Sequence, residues 1–152
     1  MLPILEAKFS LQDTAALAGV SSTALYKLIA RGSLTIARKN GGQFAFNFND
    51  VVAVAAFADL MRAGIPAQAA DKAACLIADS ELPTHLMVRR KVEAWAAVTR
   101  AAGKEDVVLA YGADQLHDAL RAAIGHTSIL VRLHSLTAEI ADAVEALRDG
   151  AR

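Results

Sequence analysis

A single cysteine, Cys75, stands in the 152 residues, along with three prolines, one tryptophan, two tyrosines and five phenylalanines. One thiol cannot close an internal disulfide. In "AACLIAD" it lies in an apolar helical pattern, the usual setting of a buried free cysteine, with no neighbouring ligands for a metal or redox role. Charge of one sign is also lacking, because 16 Lys and Arg face 16 Asp and Glu. A neutral chain exerts no long-range pull on a polyanion or a membrane surface, so any such pull must come from local clustering. No apolar run approaches the ~18 uncharged residues of a membrane span. The opening "MLPILEAKFS" lacks the basic start and apolar core of a signal peptide, so a soluble, cytoplasmic protein is expected. The composition is 55% hydrophobic and 21% charged, which is globular rather than disordered.

Much of the apolar content is alanine, which favours helix. Ser10 followed three residues later by Asp13 resembles a capping box at the start of a first helix. Leu11, Ala15 and Ala18 share one face of it. Gly19 follows, where a left-handed cap is wanted. Ser21 caps a second helix with Leu25, Leu28 and Ile29 on its apolar face, ended by Gly32. Two short amphipathic helices joined by about three residues are a helix-turn-helix pattern. The period then changes. Leu34 and Ile36 alternate with Thr35, and Phe44, Phe46 and Phe48 alternate with Ala45 and Asn47. With "NGG" between the two runs, this predicts a hairpin packed on the helices. Asn49 or Asp50 is expected to cap a third helix ending at Gly64. A fourth, with Pro66 in its first turn, is expected to run to about Asp79. Pro83 in "ELPT" is expected to stop it and mark a linker.

Beyond the linker, "THLMVRRKVEAWAAVTRAAG" reads as a helix to Gly103, with an extended start possible at 85–88. Trp95 then has Val92 and Val98 three residues to either side, a packing position. "EDVVLAYG" reads as a strand, "ADQLHDALRAAIG" as a helix and "TSILVRLHSL" as a second strand. The connection between these strands suits a parallel crossover. Two strands make a thin sheet, so a third near Leu86 or pairing across a dimer is expected. "TAEIADAVEALRDG" closes as a helix with Ile140, Val144 and Leu147 on one stripe. The expected fold class is mainly α with small β elements (α+β). Residues 1–80 would form a winged helix-turn-helix, and residues 84–152 an α/β region for oligomerisation or partner binding.

"FSLQDTAALAGVSSTALYKLIARGSL", the hairpin "ARKNGGQFAF" and the following "LMRAGIPAQAA" together resemble the MerR superfamily of winged helix-turn-helix proteins. "ALYKLIARGSL" is closest to its excisionase-like branch. The resemblance covers about Phe9 to Ala74. It implies a DNA-binding head whose second helix enters the major groove with its N-terminal residues toward base edges. The residues so placed are Ser21, Ser22, Thr23, Tyr26, Lys27 and Arg31 on the helix, and Arg38, Lys39, Asn40 and Gln43 on the wing. Tyr26 stands where MerR regulators usually carry Arg.

The local charge agrees with this reading. Residues 1–50 hold five basic side chains against three acidic ones, and Lys27, Arg31, Arg38 and Lys39 all fall on the second helix or the wing. Four neutralised phosphates would give a log–log salt slope of roughly −3.6. A homodimer or higher oligomer on repeated half-sites is expected. His85, His117, His126 and His134 show no zinc-type spacing. "RRK" at 89–91 reads as a solvated face. No nucleophile motif, phosphate loop or carboxylate pair is present, so no catalytic residue, cofactor or metal is expected. The expected function is sequence-specific binding of double-stranded DNA by a bacterial, nucleoid-associated transcriptional regulator. Two alternatives stay open. One is a mobile-element or phage architectural factor, excisionase-like or small-terminase-like. The other is a protein-interaction adaptor that no longer binds DNA.

Overall fold

The computed structural model describes residues 3–37, 39–40, 43–89, 91–101, 103–122 and 127–151, with backbone alone at 39, 40, 43 and 101. Its elements run α1 (Pro3–Glu6), α2 (Leu11–Ala18), α3 (Ser22–Ala30), β1 (Lys39–Asn40), β2 (Gln43–Phe44), α4 (Phe48–Arg62), α5 (Ala67–Asp79), α6 (Leu82–Val88), β3 (Ala94–Ala101), β4 (Lys104–Tyr111), α7 (Ala113–Ala122), β5 (Thr127–Arg132) and α8 (Leu133–Gly150). This is an α+β protein, mainly helical with one small three-stranded sheet and one short hairpin.

α4 is the centre of the packing. From Phe48 to Ala58 every residue is buried, and Leu60 with them. A helix apolar on all sides must be enclosed on all sides, and α2, α5, α6, α8 and β5 all lie against α4. One continuous cluster of buried side chains therefore runs from Ile4 and Phe9 through Leu25, Phe46 and Phe57 to Leu133, Ile140 and Val144. Packing does not pause at the "ELPT" segment. The start of α4 is fixed by a reciprocal capping box. Asn47 Oδ1 accepts from Asp50 N–H at 2.9 Å, and Asp50 Oδ2 accepts from Asn47 N–H at 3.0 Å. The cap is thus Asn47 rather than Asn49 or Asp50. Asn49 instead turns inward, and its Oδ1 accepts from both Thr84 N–H (3.0 Å) and Thr84 Oγ1 (2.9 Å), tying α6 to α4.

The second half differs from the sequence expectation in its most buried strand. Residues 94–101 are not helix but β3, the centre of a sheet ordered β4–β3–β5 with both pairings antiparallel. Ala94, Trp95, Ala96, Ala97 and Val98 are all buried. A strand covered on both faces shows no in–out alternation, and its alanines read as helix formers. The strand that completes the sheet is therefore β3, while Leu86 lies in α6. β4 and β5 do run parallel to one another, but β3 separates them. Ala94, Ala96, Val98, Val107 and Val131 face the core with α4, α5 and α8, and α7 lies against β4 and β3.

Three boundaries also shift. Pro83 does not stop a helix; it sits in the first turn of α6, and the break before it is Glu81 at φ 53°. Leu133 opens α8 rather than ending a strand, and Leu147 on the same helix is exposed although Ile140 and Val144 are buried. Among the described residues the hairpin pairs Lys39 with Phe44 and Asn40 with Gln43. Leu34 and Ile36 are buried anchors outside any strand. Phe46 bridges to Phe9 through bonds of 2.8 and 3.0 Å, and Phe48 already belongs to α4.

Candidate nucleic-acid interface

The candidate surface is built on α2, α3 and the hairpin. α2 opens at Ser10, whose Oγ accepts from Asp13 N–H at 3.1 Å. It closes at Gly19 (φ 72°), with Val20 N–H donating to Ala15 O at 2.9 Å. That six-to-one bond across a left-handed glycine is a Schellman turn, and it sets the angle at which the chain leaves α2. Arg62, at the end of α4, pins the same turn. Its Nη2 donates to Gly19 O at 2.8 Å while Nη1 pairs with Asp59 at 2.9 Å. Ser21 then caps α3, its Oγ accepting from Ala24 N–H at 3.1 Å.

α3 buries Leu25 completely and half-buries Leu28 and Ile29. Thr23, Tyr26, Lys27 and Ala30, three and four residues apart on the opposite face, are exposed, as is Arg31 just beyond the helix end; Ser22 is half-buried. No acidic residue lies in the first turn of α3, so the positive end of its dipole is uncompensated there. Ser21 and Ser22 flank that end. Arg38 lies outside the described residues. Lys39, Asn40 and Gln43 are placed by their backbone in the hairpin that follows α3.

Tyr26 has a neighbour that the sequence did not reveal. Its ring meets Phe44 of the hairpin edge-on, with centroids 6.3 Å apart at 77°, and Phe44 in turn stacks on Phe46 at 6.3 Å. Edge-to-face contact suits the aromatic quadrupole. Tyr26 thereby couples α3 to the hairpin while remaining 53% exposed. Between the two elements lies a cleft of about 900 Å³, lined by Tyr26, Ile29, Ala30, Leu34, Ala37 and Phe44 among others.

The segment joining α3 to the hairpin is held from behind by α5. Asp71 accepts Thr35 N–H at 2.8 Å and Thr35 Oγ1 at 2.9 Å, and Thr35 Oγ1 also meets Cys75 Sγ at 3.2 Å. Burial pushes the Cys75 thiol above its ordinary value, with the Asp71 charge adding to that and the Thr35 bond opposing it. Asp71 and Arg62 were missed in the sequence because neither follows a local pattern. Each acts on a residue tens of positions away.

Elsewhere the tempting residues are dispersed. Trp95 is buried in β3 and meets His134 edge-on at 5.4 Å, while His134 Nδ1 lies 3.1–3.2 Å from the backbone of Ala94. His85, His117, Arg89 and Lys91 are exposed; His126 and Arg90 lie outside the described residues. Among the described residues no three His, Cys, Asp or Glu side chains are grouped to hold a metal ion, and no helix is long and apolar enough to cross a membrane. No protein-family model matches the chain, and a search of curated proteins finds no match.

Proposed function

We propose that the protein is a sequence-specific DNA-binding regulator of the MerR-like type, reading the major groove with α3 and the flanking backbone with the hairpin. The observation that carries this reading is the exposed face of α3. Thr23, Tyr26 and Lys27 stand in solvent on a helix whose other side is anchored by Leu25, with Arg31 exposed just past its end. Thr and Tyr hydroxyls can bond base edges or phosphates, and Lys and Arg neutralise phosphate charge. The N-terminal turn of α3, with Ser21 capping Ala24 N–H and Ser22 beside it, suits a phosphate as well. The hairpin that carries Lys39, Asn40 and Gln43 follows α3 in the chain, and the contact of Tyr26 with Phe44 sets that hairpin against α3. In this reading Tyr26 positions the wing as well as meeting DNA.

Genome-wide binding in the native host, followed by salt-titrated binding to a recovered site, tests the reading. Lys27→Ala and Arg31→Ala should each weaken binding and flatten the log–log salt slope by roughly 0.9 per lost phosphate contact. An affinity unmoved by both changes would remove α3 as the contact surface. Enrichment at promoters supports a regulator, and enrichment at attachment or packaging sites supports an architectural factor with the same head. The apolar lining of the cleft between α3 and the hairpin favours the adaptor alternative, and an absence of enrichment anywhere would select it.

A further inference from the structure

The two edges of the sheet are finished differently. β4 begins with Lys104, Glu105 and Asp106, has α5 packed against it, and is tied to that helix by Lys72–Asp106 at 3.4 Å. Charges and a covering helix are the usual means of blunting an edge. β5 has neither. Its sequence is TSILVR, with Arg132 its one charge, at the far end. Among the described residues it pairs with β3 alone, and no backbone hydrogen bond leaves its other edge. Leu130 stands 39% exposed there, in one cross-strand row with Ala97 and Val108. Beside the edge, a groove of about 260 Å³ runs between β5 and the ends of α4 and α8. Leu60, Ala63 and Leu136 are among its apolar lining, with Asp59 and Glu139 also present.

We propose that β5 pairs antiparallel with β5 of a second copy, joining two three-stranded sheets into one of six. A two-fold axis normal to the sheet keeps each face with its like, so only registers that pair residues of the same parity are allowed. Centring the axis on Leu130 opposes Leu130 to its own copy. It sets Ile129 against the partner's Val131, apolar to apolar, and Ser128 against the partner's Arg132. Centring on Ile129 instead would set Thr127 against Val131 and Ser128 against Leu130, two polar–apolar mismatches. In the Leu130 register the core-facing residues of the incoming strand meet the apolar lining of the groove, and the open backbone groups of each edge are satisfied by the other. The occupant is a second copy because the strand is complementary to itself about one residue. The proposal rests on the DNA-binding reading for its use, since a closed two-fold pair presents two heads to a pseudo-palindromic site. Its geometry comes from the sheet alone.

The full-length chain is tested by light scattering over a concentration series, with single-cysteine variants in a Cys75→Ser background treated with a short bis-maleimide. A dimer is expected, and Leu130→Cys should cross-link far more readily than Ser128→Cys or Arg132→Cys. Leu130→Lys places like charges opposite one another and should weaken the dimer by roughly tenfold or more. Val108→Lys, on the other edge strand, should leave it intact. A wild-type chain that stays monomeric at tens of micromolar overturns the proposal. So does a dimer lost in Val108→Lys but kept in Leu130→Lys, which is face-to-face stacking, or cross-linking with no preference for position 130. A complex containing one copy and a strand from another protein overturns it as well. The two readings fail separately. Lys27→Ala should lose DNA affinity without losing mass, and Leu130→Lys should keep half-site binding with a shallower salt slope. A dimer that never binds DNA removes only the DNA reading, and a monomer that binds DNA removes only the β5 pairing.

Discussion

Replacing Asp71 by Ala removes both acceptors that hold Thr35 and so frees the segment leading from α3 to the hairpin. A hydrogen bond to a charged group is worth about 1.5–3 kcal/mol when sheltered. Thr35 is exposed and Asp71 only half-buried, so water replaces much of what is lost, and the net cost should be about 1–2 kcal/mol. For a chain of this length that lowers the melting temperature by about 2–8 °C. Asp71→Asn keeps one acceptor oxygen and should fall between the two. A cycle with Thr35→Val, which deletes the hydroxyl but keeps the N–H, should show a coupling of about 0.5–1 kcal/mol between positions 35 and 71. Cys75 supplies a second readout. Losing the Asp71 charge removes one of the influences that disfavour the thiolate; loosening Thr35 weakens a bond that favours it but also uncovers the thiol, and the gain in access decides the rate. Thiol labelling at pH 8 should therefore quicken severalfold in Asp71→Asn, as judged by the absorbance of released thionitrobenzoate. Stability unchanged within about 0.3 kcal/mol together with an unchanged labelling rate would refute the clamp.

Other consequences are directly measurable. Gly19→Ala puts a side chain at φ 72° and its Cβ 3.3 Å from Arg62 Nη2; chemical denaturation should show a loss of about 1–2 kcal/mol. Asn49→Ala leaves Thr84 without its acceptor on a buried part of α4 and should cost about 1–3 kcal/mol by the same measurement. The raised Cys75 value means that the folded state holds the thiol proton more tightly than the unfolded chain does. Its stabilising contribution is complete below the ordinary value of 9.0 and is lost as pH rises from there through the folded value. Melting temperature should thus decline above pH 9, with a shallower decline in Cys75→Ala.

What could be read from the sequence depends on the range over which each feature is determined. Ser10, Gly19, Ser21 and Gly32 act within their own turns, so α2, α3 and the tight connection between them were visible in the chain order. The same holds for β4, where charged residues give way to an apolar run, and for α7. β3 was hidden for the opposite reason. Its conformation is imposed by strands on both sides and helices above, and that enclosure erases the alternation by which strands are recognised. Phe44, Phe46 and Phe48 alternate as a strand would, yet one belongs to the hairpin, one to a bridge with Phe9, and one to a helix. Within the candidate site, the exposure of Thr23, Lys27 and Arg31 followed from helical spacing. The contacts of Tyr26 with Phe44 and of Thr35 with Asp71 join segments 18 and 36 positions apart, and no local pattern encodes them.

α4 has no outward side over most of its length, so it works as an axle common to the front and the back of the molecule. The turn before α3 is fastened to one end of it by Arg62, and β5 and α8 lie along the same helix. Among the described residues α4 thus joins β5 to the turn before α3 through direct packing. If two copies meet through β5, the distance and rotation between their α3 helices are set by the protein and not by a flexible tether. On the proposed DNA-binding reading, inserting a single base pair between half-sites, about a tenth of a helical turn, would then put one head out of phase with its groove, while inserting a full turn would change their separation but not their phase.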